Sequence, residues 1–277
     1  MGGWMPDISW GQLFVAALGG GFTVKVLDIA YQEFRHRKAR TLSTEELVDQ
    51  HLGPLLKAAD ELVGKLRSLA EADFKPVHRV EPSEKCLGNH EFASLLYLFG
   101  RFWARVELIR HNGLSVSMGK DKRGAQLQHF LDCLESRRVR IVDRILQRAV
   151  GEVIVRGDDA LTFVEFVQTF ETDTASRQWI MPLAKFLSRT EHTTERQRLL
   201  QYGAVLHALI DTLDGKHLIT RERPASPNKL SSRSWADLNY RVFGVYLKFV
   251  ANKQKYIGPP KKAARKKGRQ AVGTLEP

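Results

Sequence analysis

From residue 43 to residue 214, apolar side chains recur every three or four positions, a spacing that one face of an α-helix satisfies and a strand does not. The first such stripe is Leu47, Leu52, Leu55, Leu56, Ala59, Leu62, Val63, Leu66 and Leu69. It opens on Ser43-Thr44-Glu45-Glu46, which has the pattern of a capping box, and Pro54 is expected to kink or divide it. Residues 89–111 give the most apolar stripe, through Phe92, Leu95, Leu96, Phe99, Phe102, Trp103, Val106 and Ile109. Shorter helices are expected over 125–137, 143–155, 161–170 and 176–188, with Pro182 limiting the last. A long one is expected over 194–214 and another over 235–253. Sustained alternation with period two is absent, and Val153 to Val155 is the nearest approach to a strand. The pattern predicts an all-α fold, an irregular multi-helix bundle.

Ahead of these stripes, Ile8 to Ala30 is apolar, and Arg35, Arg37, Lys38 and Arg40 follow it closely. A helix of about 23 residues covers roughly 34 Å, enough for a hydrocarbon core of about 30 Å, so a single N-terminal transmembrane helix is expected. Trp4 and Trp10 at one end, and Tyr31 and Phe34 at the other, stand where interfacial aromatics belong. The basic cluster on the C-terminal side puts the N-terminus outside and the bulk in the cytoplasm, with the helix in the inner (plasma) membrane. Its position after the apolar run is opposite to that of a secretory signal, so cleavage is not expected. Lys25 and Asp28 oppose the assignment, because charge in a bilayer is costly; three apart on one face, they can pair and snorkel. An interfacial or re-entrant helix and a buried soluble helix are the alternatives. Ala16 with Gly20, and Ala17 with Gly21, are small-xxx-small pairs, suited to packing against a partner helix or a second copy.

The chain divides on this reading into an anchor with its basic flank (1–40), a helical cytoplasmic domain (41–215), a linker with a C-terminal helix (216–257) and a basic tail (258–277). With 43% hydrophobic residues it can bury a sizeable core, and two cysteines, Cys86 and Cys133, give no disulfide framework. Of the net charge of +12, residues 258–277 contribute +5, through Lys261, Lys262, Arg265, Lys266, Lys267 and Arg269 against Glu276, and the other +7 is spread over the rest of the chain. Six cations without apolar periodicity suit an anionic lipid surface. A plain solubilising tail is the next alternative, and contact with nucleic-acid phosphates is the weakest, because the tail has no aromatic residue for base stacking.

Signatures of chemistry are few. No GxxxxGK[ST], GxGxxG or GxSxG motif occurs, and His90-Glu91 lacks the second histidine of HExxH. His129 and Cys133 have metal-ligand spacing but no matching third and fourth ligand. His207, Asp211 and Asp214 share one helix face, and Arg148 and Glu152 are four apart on another helix. Arg148, Glu152, His207 and Asp211 are the candidate polar seam. They would line one pocket if the protein is an enzyme, and Arg148 and Glu152, with Arg101 and Arg105, would form internal ion pairs if it is not. No catalytic, cofactor or metal residue is assigned.

Leu96 to Arg110 (LYLFGRFWARVELIR), Arg144 to Val155 (RILQRAVGEVIV) and Arg198 to Asp214 (RLLQYGAVLHALIDTLD) together resemble an uncharacterised bacterial family. Members of that family have an N-terminal membrane helix and a helical cytoplasmic region. The resemblance implies an anchored all-α protein and carries no activity with it. A single-pass membrane-anchored scaffold or regulatory protein with a protein partner is therefore the expected function. An enzyme acting on a membrane-associated or phosphorylated substrate, and a nucleic-acid-binding membrane protein, are the alternatives.

Overall fold

The computed structural model describes residues 49–83, 85–111, 121–226 and 229–259. Several sequence expectations lie outside the described residues. These are the apolar segment Ile8 to Ala30, the helix-packing residues Ala16, Ala17, Gly20 and Gly21 within it, the Ser43 capping box, and the basic tail from Lys261 to Arg269. Among the described residues the fold is mostly helical, as the periodicity predicts. No helix among them is long and apolar enough to cross a membrane.

Helix α1 covers residues 49–71 and runs unbroken through Pro54, whose ring lies on the exposed side. Two single-turn 3-10 helices, Lys75–Val77 and Cys86–Gly88, lead to α2, His90–His111. Then follow α3 (Lys122–Glu135), α4 (Arg144–Ile154), α5 (Phe163–Thr172), α6 (Thr174–Ser188) and α7 (Thr193–Leu213). Polar side chains start several of them. Asp121 accepts from the amide of Gly124, Asp143 from that of Ile145, and Thr162 and Glu165 close a capping box on α5. Between α4 and α5 a small hairpin pairs Val155–Arg156 with Asp159–Ala160 around Gly157, whose φ is +60°. The sequence shows only the edge of this hairpin, at Val155.

The helix expected over 235–253 is shorter and differently wound. Helix α8, Ser232–Ala236, passes into a π-helix, Asp237–Tyr246. The chain then turns at Leu247, which is fully buried, and closes with α9, Gln254–Ile257. A turn that buries Leu247 gains more apolar contact than a straight helix projecting to residue 253.

Phe92, Phe99, Phe102, Phe130 and Tyr202 are fully buried and form the centre of the core. Burial of each such side chain contributes about 1.5–3 kcal/mol. The hydroxyl of Tyr202 is satisfied by Trp103 Nε1 at 2.8 Å. Helices α2 and α4 approach closely because a glycine faces each. A Cβ on Gly151 would lie 2.8 Å from the carbonyl oxygen of Trp103, and one on Gly100 would meet Ile154. The three segments that carry the family resemblance fall on α2, α4 and α7.

Residues 214–226 and 229–231 carry no helix, yet several of them are tied down. Asp214 accepts from the amides of Leu218, Ile219 and Thr220, at 2.9–3.0 Å. Arg223 donates to the Asp60 carboxylate at 2.6 Å and to the Asp60 carbonyl at 2.8 Å, and Arg67 donates to the carbonyl of Pro224 at 2.7 Å. This strap carries the chain from the end of α7 back to α8, which starts beside the beginning of α7.

Candidate functional site: an arginine-lined cavity

The first two turns of α7 are polar on one face. Thr193 and Thr194 each have a partner three or four residues on in Gln197 and Arg198, as these do in Gln201, while Leu199 and Tyr202 are buried in the core. Against this face stand Arg137 and Arg138, from the turn after α3, and Ser231, Arg233, Ser234, Asp237, Tyr240 and Arg241, from α8 and the π-helix. Together they enclose a cavity of about 700 Å³. In a π-helix the backbone hydrogen bonds run from residue i+5 to residue i, so one face repeats every four to five residues. Asp237 and Arg241, four apart, fit that repeat, and Tyr240 also lines the cavity.

Five guanidinium groups and one carboxylate line the cavity. Asp237 Oδ1 accepts from both Arg138 and Arg241, at 3.4 Å each, so one acid is shared by two bases. Arg137, Arg198 and Arg233 make no ion pair among the described residues. Arg198 is half-buried and donates to the carbonyls of Arg137 and Arg138, which orient its guanidinium without neutralising it. Burial depresses its pKa most; the charge of Asp237 opposes that effect and the nearby Arg140 adds to it. Gln197 fixes the neighbouring strap, accepting from the Ser231 amide at 2.7 Å and donating to the Lys229 carbonyl at 3.1 Å. The N-cap of α7 is His192, whose side chain makes no capping bond, whereas Ser231 caps α8. The positive end of the long helix α7 therefore opens toward the cavity at Thr193 and Thr194 without a side-chain cap. A half-enclosed volume with these donors and this charge is suited to hold an anion.

The candidate seam separates into two clusters. Arg148 donates to Glu135 at 3.1 Å, and Glu135 also accepts from Arg110, which in turn bonds the buried Glu107. The bond to Glu135 is the main cause that raises the pKa of Arg148, and the charge of Glu152 adds to it. Burial raises the pKa of Glu107 in spite of Arg110. This ion-pair chain links α2, α3 and α4 through Glu135, and Glu152, exposed, enters it only as a nearby charge. Arg101 and Arg105 are paired as well, with Glu61 at 2.5 Å and with Asp159. One ligand atom each from Glu107, His111 and Glu152 lies within 4.8 Å of the others. A cation there would have Arg110 already on Glu107, and Arg148 close by, opposing it.

His207 and Asp211 are together at the other end of α7, 3.7 Å apart. Lys255 reaches Asp211 at 2.6 Å, His217 lies 3.7 Å from it, and the Tyr256 ring meets the His207 ring edge-on at 5.1 Å. Burial pushes the His207 pKa down to about 4, although Asp211 pulls the other way. The adjoining cavity is only about 40 Å³, room for a water and not for a substrate. This cluster locks α9 onto α7. His129 packs on Phe249, and Cys133 is fully buried with its thiol pushed up to about 12.

The arginine cavity has no counterpart among the expected site residues. Its members are scattered from Arg137 to Arg241, and each reads alone as a solvated surface charge. The legible trace is local: a long helix starting Thr193-Thr194 without a side-chain cap, polar for two turns on the face it shares with Arg198. Comparison with protein families, with curated proteins and with solved structures finds no match for this chain.

Proposed function

We propose that this protein is a helical binding module that recognises a phosphate-bearing anion in the arginine-lined cavity and acts as a regulatory or scaffold protein. One observation carries the reading: five guanidinium groups against one shared carboxylate around about 700 Å³. Arginine is the side chain best matched to phosphate, because its planar fork gives paired donors and is less strongly hydrated than an ammonium. The rest of the lining is hydroxyl and amide with Ala236 and Tyr240, a composition that holds and orients a ligand.

The membrane anchor belongs to the same proposal. It rests on the apolar length of Ile8 to Ala30 and the basic cluster after it. Helix packing through Ala16, Ala17, Gly20 and Gly21 is proposed with it, on the small-xxx-small spacing alone. With the tail from Lys261 to Arg269 the anchor would place the module at an anionic cytoplasmic surface, with a protein partner downstream. Kinship with the bacterial family of anchored helical proteins is part of this reading, on the strength of the three segments given above. The anchor is wrong if the full chain partitions wholly into the soluble fraction without detergent or high salt.

Ligand-induced stabilisation tests the binding site. A ligand at a hundredfold excess over its dissociation constant stabilises the folded state by about 2.7 kcal/mol. Inorganic phosphate added at constant ionic strength is expected to raise the melting temperature of the wild type. The protein carrying both Arg137→Gln and Arg233→Gln is expected to respond much less. Equal responses in the two proteins would place phosphate elsewhere and contradict the reading.

A further inference from the structure

The charge and size of the cavity define its ligand more narrowly, on the premise that it binds a phosphate-bearing anion at all. Three of its arginines, Arg137, Arg198 and Arg233, have no carboxylate partner among the described residues, and Arg138 and Arg241 share Asp237. The five stand on three separate elements: the turn after α3, the start of α7, and the α8–π segment. A volume of about 700 Å³ is far larger than one tetrahedral phosphate fills. That volume lies within the roughly 300–1,000 Å³ typical of sites for whole small molecules. Five arginines against one aspartate give the lining a net charge of +4; a single phosphate, at about −1.5 to −2 near neutral pH, offsets less than two linked phosphates would.

The wall opposite α7 adds an apolar element. Tyr240 lines the cavity, is 66% exposed, and is held by an edge-to-face contact with Trp235 at 6.2 Å and 86°. An exposed aromatic side chain anchored in this way, beside a cluster of arginines, is an arrangement on which a nucleobase stacks while its phosphates are held by cations.

We infer that the ligand is a nucleotide with two or more linked phosphates, the phosphates held between Arg198, Arg233 and the arginines of the turn after α3, and the base stacked on Tyr240. No transfer of the phosphates is implied.

Calorimetric titration of the detergent-solubilised full chain tests this with five probes: inorganic phosphate, pyrophosphate, AMP, ADP and GDP. ADP or GDP is expected to bind about tenfold or more tightly than AMP, because the second phosphate engages further charge-assisted bonds. Tyr240→Ala is expected to weaken ADP and GDP several-fold and leave pyrophosphate unchanged. Arg233→Gln, at an exposed residue whose side chain has no hydrogen-bond partner among the described residues, is expected to weaken all three. If ADP and GDP bind no better than AMP, the linked-phosphate inference fails. If they bind no better than pyrophosphate, and Tyr240→Ala is silent, the nucleotide inference fails; in both cases an anion site remains. If none of the five probes binds, the anion site itself fails. An RNA oligonucleotide that binds the cavity much more tightly than the mononucleotides would replace the inference with a nucleic-acid interface.

Discussion

At single residues, the fold leaves little slack. Gly151 sits where α4 meets the backbone of α2, and an added Cβ would lie 2.8 Å from the Trp103 carbonyl oxygen and 2.9 Å from Glu107 Cγ. A backbone atom cannot rotate away, so Gly151→Ala must push the helices apart. The expected cost is about 1–3 kcal/mol by denaturant unfolding. Gly100→Ala should cost less, because its obstacle is the end of the Ile154 side chain. His207 gives a pH signature. Its pKa in the folded protein is pushed down to about 4 from the ordinary 6.5, by burial first and then by Lys255, Arg67 and Arg223, with Asp211 opposing. His217 and Tyr256 complete the groups around it. Above pH 6.5 the imidazole is neutral in both states and its contribution is fully present. As the pH falls from 6.5 toward 4, the unfolded chain takes up a proton that the folded chain refuses, and stability is lost. The loss is on the order of 2–3 kcal/mol over that window. His207→Gln should flatten this part of the stability profile; parallel profiles would show that His207 is not the group responsible.

At the level of elements, the apolar spacing predicts helices well wherever one face packs against the core, as in α1, α2 and α7. It fails where the backbone departs from 3.6 residues per turn. Asp237–Tyr246 carries an apolar pattern, Leu238, Val242 and Phe243, that serves an α-helix and a π-helix equally, so the spacing does not choose between them. The strap over 214–231 shows the opposite difficulty. Its composition reads as a linker because proline, serine and charge dominate, and it is held by ion pairs and backbone bonds that no local pattern reveals. The bond from Arg223 to Asp60 joins residues 163 positions apart. Removing it with Arg223→Ala should cost about 1.5–3 kcal/mol, the range for hydrogen bonds to charged groups. The same change should sensitise residues near 216–232 to limited proteolysis before the rest of the domain. Cleavage that begins instead in α1 or α2 would mean that the strap is held by other contacts.

For the whole molecule, both cysteines report on the integrity of the core. Cys86 is 3% exposed and Cys133 fully buried, and burial pushes their thiols up to about 11 and about 12. A buried thiol of that kind is unreactive. Labelling by a thiol reagent at neutral pH is expected to proceed at the rate of global unfolding and to accelerate with denaturant in step with it; fast labelling of the native protein would contradict the packing. The all-α class is legible in the sequence because each helix signals itself. The candidate site is not, because it is made by tertiary structure: three elements distant in sequence contribute arginines that become one charged volume only when α8 folds back beside α7. The seam built from Arg148, Glu152, His207 and Asp211 is legible as helix-face patterns, but a helix face does not say which neighbour it meets. In the structure those patterns serve two separate structural clusters. The central claim, that the arginine cavity is a phosphate site, is tested most directly by a crystal structure of the protein with pyrophosphate. The account predicts pyrophosphate inside the cavity, within hydrogen-bond distance of Arg198 and Arg233. Pyrophosphate bound only at other basic surfaces, or a cavity holding none at a saturating concentration, would contradict it.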